Sequence, residues 1–157
     1  MKPNEPKTIR CSARKIPVEV TPEEMVRQEL LGRMTGVLGY PKNLIAVEKG
    51  LRHMPHIQCT DQEVPERRAD IICFGKGIHP HFELYPLLLI ECKAVKLTHK
   101  VINQVTGYNH YLKSYFIAVA NKEEVQTGWY NATLSKYQFV PFIPSYQDLI
   151  QAITNQK

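Results

Sequence analysis

No apolar stretch in this chain approaches the ~20 residues a membrane-spanning helix needs, so no such helix is expected within these residues. The polar opening MKPNEPKTIR lacks the apolar segment of a secretory signal, and a cytoplasmic location is expected. The four cysteines, Cys11, Cys59, Cys73 and Cys92, contain no CxxC pair. In a reducing compartment they are expected as free thiols, not as a disulfide framework. There is no internal repeat and no low-complexity tract, and the absence of GxxxxGK[ST] leaves the chain without an ATP-binding loop. Histidines offer one weak metal pattern: His53, His56 and Cys59 in HMPHIQC, and His79 and His81 in HPH. Pro55 and Pro80 interrupt it, and no compact four-ligand zinc spacing emerges.

What remains is an ordinary balance: 157 residues, 43% hydrophobic and 22% charged, enough for one domain with a real core. The net charge is +5. Lys2, Lys7, Arg10, Arg14 and Lys15, against Glu5 and Glu19, place +3 of it in the first twenty residues. Residues 1–20 therefore read as a basic, extended arm, and residues 21–157 as a single α/β domain. A basic arm suits a polyanionic partner such as nucleic acid, and equally a solvated positive face.

Helix and strand periods alternate along the domain. In TPEEMVRQELLGRMTGVLGYP, Thr21 can cap a helix, Pro22 suits its first position, and Glu23 and Glu24 favour the positive end of its dipole. Val26, Leu30, Met34, Val37 and Leu38 form its apolar stripe, and Gly39 with Pro41 stops it. NLIAVEKGL, RADIICF and PLLLIECKAV read as strands, and THKVINQVTGYNHYLK as a helix. SYFIAVAN, GWYNATL and KYQFVPF read as further strands, and SYQDLIQAIT as a closing helix capped by Ser145. The order is α-β-β-β-α-β with a β then α extension.

The third strand ends in a way its composition does not explain. Leu87 and Leu89 on one face, with Leu88 and Ile90 on the other, mark a central strand covered on both sides. It then delivers Glu91 and Lys93 to the same face. If RADIICF and PLLLIECK form a hairpin with Phe74 opposite Leu87, Asp70 falls opposite Glu91, ~5 Å away on the same face. Two adjacent carboxylates repel unless a cation neutralises them, and a hard divalent ion such as Mg²⁺ does so while keeping sites for water and phosphate oxygens. Lys93 beside such an ion would orient water or stabilise charge on phosphorus, the equipment of metal-assisted phosphodiester hydrolysis. An exposed strand end would carry the same Glu91 and Lys93 as a surface ion pair of little energetic weight.

The Asp70…Glu91-Cys92-Lys93 signature, behind a helix with an acidic start, resembles the PD-(D/E)xK nuclease superfamily. The stretches PEEMVRQELLGRMTGVLGYPKNLIAVEKGL, ERRADIICF, PLLLIECKA and NQVTGYNHYLKSYFIAVAN most resemble the amino-terminal nuclease domain of type I restriction enzyme R subunits and its stand-alone relatives. Ala69 departs from the pattern by replacing the proline before the first aspartate.

The resemblance implies a restriction-endonuclease-like αβββαβ core, a central mixed sheet flanked by helices, and a Mg²⁺-dependent nuclease acting on DNA. Mn²⁺ is the expected substitute ion. Asp70 and Glu91 would bind the metal, the Cys92 carbonyl would add a ligand, and Lys93 would be the catalytic lysine. Glu24 would complete the site from the first helix, with Glu29 as the runner-up and a dipole-favoured surface residue as the plain alternative. Gln104 and Tyr108, at i and i+4 in QVTGY, resemble the QxxxY element of this branch, with ordinary helix packing as their plain alternative. Arg27, Arg67 and Arg68 are candidate phosphate contacts, or simply solvated charges. A catalytically inactive nucleic-acid-binding or partner-docking module of the same fold is the competing reading, and a homodimer or other protein subunits are open as partners.

Overall fold

The computed structural model describes residues 5–57 and 64–155. A six-stranded sheet forms its centre, built from β3 (Ile45–Gly50), β4 (Arg68–Lys76), β5 (Leu84–Cys92), β6 (Phe116–Ala120), β7 (Val125–Asn131) and β8 (Lys136–Val140), neighbours in that order. β5 and β6 run parallel and every other neighbouring pair is antiparallel. The parallel pair is joined by the helix α2 (His99–Leu112), the crossover that parallel strands require. Before the sheet come the short strands β1 (Thr8–Arg10) and β2 (Pro17–Glu19), then the helix α1 (Pro22–Gly36). The helix α3 (Tyr146–Thr154) follows β8. Among the described residues no helix is long and apolar enough to cross a membrane.

Two apolar layers cover the sheet. On one face Val26, Leu30, Leu31 and Met34 of α1, with Leu149 of α3, pack on Ile71, Cys73, Leu88, Ile90 and Ala118. On the other, Val105 and Leu112 of α2 pack on Ile72, Phe74, Leu89, Ile117 and Val119. Leu87 through Ile90 are all 0% exposed. Each such burial contributes about 2 kcal/mol, which makes β5 a rigid mount for whatever follows it. A recess of about 410 Å³ remains beside α3, lined by Phe116, Trp129, Val140, Phe142, Leu149 and Ala152 among others.

Local chemistry sets the ends of the elements. Thr21 Oγ1 accepts the Glu24 N–H at 3.1 Å, Thr98 Oγ1 the Val101 N–H, and Ser145 Oγ the Asp148 N–H. α1 stops at Gly36, short of the expected Gly39, because the Val37 and Leu38 N–H groups both turn back to the Arg33 carbonyl. Gly39 then takes φ +72, a conformation glycine alone adopts without strain. Val37 is consequently 82% exposed and not part of the apolar stripe. β4 runs on through the expected GKG break to Lys76, and β7 starts at Val125, before the expected GWYNATL.

The amino-terminal arm also departs from expectation. Thr8–Arg10 pairs antiparallel with Pro17–Glu19, and Cys11 between them is 0% exposed in the α1 core. Residues 8–19 are thus a hairpin strapped to the domain, because an apolar thiol in the turn finds a place to bury.

Candidate active site

The site grows from the end of β4 and β5. Their ladder pairs Ile71 with Ile90, Ile72 with Leu89 and Cys73 with Leu88. An irregularity between Cys73 and Phe74 then sets Phe74 against Pro86, not Leu87. The expected anchor pair is therefore wrong, yet the register on the other side of the bulge carries Asp70 to a position opposite Glu91. Beyond the last ladder pair the Cys92 N–H donates to Asp70 Oδ2 at 2.7 Å, which fixes the aspartate across the strand gap.

Glu91 is 4% exposed. Burial, then the neighbouring Asp70 charge and a hydrogen bond to Asp70, push its carboxyl up to about 8, against a smaller opposing pull from Lys93 and Arg67. Lys93 is the first residue past β5. Its N–H donates to the Ala120 carbonyl at 2.8 Å, which keeps its backbone aligned with β6. Its Nζ donates to Gln104 Oε1 at 3.4 Å, so α2 reaches the site through that side chain. Burial also pushes the Cys73 thiol up to about 12 and the Cys92 thiol further, leaving both as inert packing groups.

Helix α1 supplies a second layer of charge. Glu24 is 7% exposed; its Oε1 accepts from Arg14 Nη2 at 2.6 Å and Gln28 Nε2 at 2.8 Å. Its Oε2 lies 3.1 Å from Arg27 Nη1. Arg27 Nη2 lies 2.6 Å from Glu48 Oε1 and 3.4 Å from Asp70 Oδ1. Glu24 therefore reaches Asp70 through Arg27. Glu29 borders a different recess with Arg33 and Lys122. Arg27 itself is 5% exposed and turned inward onto three carboxylates, Glu24, Glu48 and Asp70.

The remaining expected contacts flank this cluster. The Arg67 guanidinium carbon lies 4.3 Å from the Tyr108 ring centroid, a cation–π contact that lays the arginine over α2. The Tyr108 hydroxyl is buried without a hydrogen-bond partner among the described residues. Arg68 has a side chain 72% exposed, 3.7 Å from Glu48. Arg67 and Arg68 open onto a cavity of about 510 Å³ shared with Glu48, Arg52, His53 and Glu66.

A divalent cation fits the donor chemistry at Asp70 and Glu91, since a carboxyl kept protonated by burial and by the adjacent Asp70 charge is what such an ion would ionise and pair. Among the described residues no three His, Cys, Asp or Glu side chains form a ready cage. Two carboxylates with a main-chain carbonyl and water is the style of magnesium, which keeps much of its hydration. The weak zinc pattern has less support. Cys59 lies outside the described residues, and His56 Nε2 donates to the Leu112 carbonyl at 2.6 Å, which leaves only its Nδ1 as a ligand atom. His79 stacks on Tyr85 with ring centroids 4.3 Å apart.

Two members of the cluster do not stand out in the sequence. Glu48 lies in the β3 register opposite Asp70, between the Val47–Ile71 and Lys49–Ala69 pairs. Its signal is a lone acid inside NLIAVEKGL, readable only once that strand is paired with RADIICF. Arg14 gives no local signal, because its reach to Glu24 depends on the hairpin that Cys11 anchors.

The model of the family described as type I restriction enzyme R protein N terminus matches residues 22–144, from the start of α1 to the residue before the α3 cap. No curated protein and no solved structure matches the chain.

Proposed function

The chain belongs to the family of type I restriction enzyme R protein N termini, and on that premise we propose that it is a magnesium-dependent nuclease domain hydrolysing DNA phosphodiester bonds. The observation that carries the proposal is the Glu91 carboxyl, buried against Asp70 at the end of the central strand with Lys93 two residues on. Nothing in packing requires an acid there, since the four preceding side chains fill the core without it.

Asp70 and Glu91, with the Cys92 carbonyl, would hold the ion. When bound, it supplies polarisation of the phosphate and activation of water. Asp70 is held ready by the Cys92 N–H. Lys93, steadied by Gln104, presents its ammonium where charge grows on the phosphate oxygens or where a water must be oriented. Glu24 positions Asp70 through Arg27. Arg67, spread over Tyr108, and Arg68, extended into solvent, face the flanking backbone of the DNA.

The test is cleavage of single-stranded, double-stranded and branched DNA with Mg²⁺ or Mn²⁺. Loss of activity by at least ~100-fold is expected for Glu91→Ala and Lys93→Ala, the scale of losing a group that acts on charge in the transition state. Activity unchanged in both variants sinks the proposal. Salt-sensitive DNA binding with no cleavage and no metal uptake would assign the inactive docking module instead.

A further inference from the structure

Asp70 sits between two acids on neighbouring strands, and the two sides are not alike. Towards β5 lies Glu91; among the described residues no Lys, Arg or His comes within ion-pair distance of it. Towards β3 lies Glu48, and there the space is taken. Arg27 brings Nη2 to 2.6 Å from Glu48 and 3.4 Å from Asp70, and Nη1 to 3.1 Å from Glu24. This guanidinium belongs to a residue only 5% exposed, so little of its charge is shared with solvent. Glu48 keeps φ +58, a left-handed backbone unusual for a non-glycine residue in a strand. Strain of that kind persists where surrounding structure enforces it, and the Glu48–Arg27 pair is the short contact there.

We infer that Arg27 takes the place of a second metal ion: the site binds one divalent cation, between Asp70 and Glu91, while the guanidinium permanently fills the position bounded by Asp70, Glu48 and Glu24. This rests on the metal reading of Asp70 and Glu91. Paired ions in two-metal sites stand ~4 Å apart and are clamped around the same reacting group. Asp70, flanked by an acid on both sides, is the natural bridge for such a pair, and its Oδ1 already faces a fixed cation. A second ion would have to evict a group held by three acids. Arg27 is thus a positioning residue that orients Asp70 and sets metal stoichiometry; Glu24 and Glu48 hold the arginine, not the metal. Arg14, 2.6 Å from Glu24, fixes that holder in turn.

Calorimetric titration of the full chain with Mn²⁺, together with low-temperature electron paramagnetic resonance of the loaded protein, decides the matter without an activity assay. The expected result is one ion per chain and the spectrum of an isolated Mn²⁺. Two ions, or an exchange-coupled spectrum, overturn the inference while leaving the nuclease reading intact. No bound ion overturns the metal reading of Asp70 and Glu91, and this inference falls with it. Arg27→Gln should raise the stoichiometry from one to two, and Arg27→Lys should restore it to one. A folded Arg27→Gln chain that still takes one ion overturns the inference. Should that variant fail to fold, the stoichiometry and spectrum of the native chain decide alone.

Discussion

Glu91 has its folded-state carboxyl raised from 4.5 to about 8, while in the unfolded chain it returns to the ordinary glutamate range. Between those values the native state binds more protons than the unfolded one, so stability falls as pH rises through the window. Metal-free protein is therefore expected to lose stability from about pH 4.5 to pH 8 and then level off. Urea midpoints measured across that range in chelator check this, and Glu91→Gln should flatten the slope. Arg27 carries the opposite liability. Arg27→Ala would leave Glu24, Glu48 and Asp70 facing one another, and a loss of about 3 kcal/mol is expected in chemical denaturation without metal. At this scale the strand-end acids are legible in the sequence, because an acid closing a run buried on both faces is costly unless a cation meets it. Glu48 and Arg14 are not, since a lone strand glutamate and an arginine of the leading arm look like surface charges until tertiary structure brings them to the cluster.

Elements follow their local signals wherever the signal is strong. The side-chain caps expected at Thr21 and Ser145 form, and β5 is central as its unbroken apolar run implies. What stays hidden in the sequence are features that depend on a partner. The β4–β5 bulge shifts the three pairings from Phe74 to Lys76 and leaves the site register untouched. The β1–β2 hairpin is invisible because such short strands carry almost no period, and its stability comes from Cys11 on the α1 core. Gly128 in β7 shows the same dependence. A Cβ there would stand 2.5 Å from the Phe139 ring across the strand pair and 3.0 Å from the Gln138 carbonyl. Gly128→Ala should cost about 1–3 kcal/mol through overpacking, seen as a lower denaturation midpoint with an unchanged m-value.

Across the whole molecule the net charge is +5, and part of the charge expected on a free arm is engaged within the domain. Arg14 is committed to Glu24 and Arg27 to the acids of the site, whereas Arg67 and Arg68 open with Arg52 onto the adjoining cavity, where a polyanion could meet them. Under the proposed function, each alanine variant of these two should reduce the slope of log K against log salt by roughly 1, uniformly across DNA sequences. Fluorescence anisotropy at several salt concentrations measures this. A Lys136→Ala control, at the far strand β8, should leave the slope unchanged. The fold class is legible from element order because the β-α-β crossover admits few sheets. The hairpin within residues 8–19 is not, since charge density says nothing about where a chain docks.

The chain's only tryptophan lines the recess beside α3, two strands from Glu91 and three from Asp70. Its emission is therefore an optical gauge of how the last helix sits on β7 and β8. Colour and intensity should shift when α3 lifts from the sheet and stay constant when ions load at Asp70. A titration followed by that light alone would look silent even while the site fills. A thermal ramp would instead register loosening at the carboxyl-terminal edge as a signal separate from the melting of the central strands.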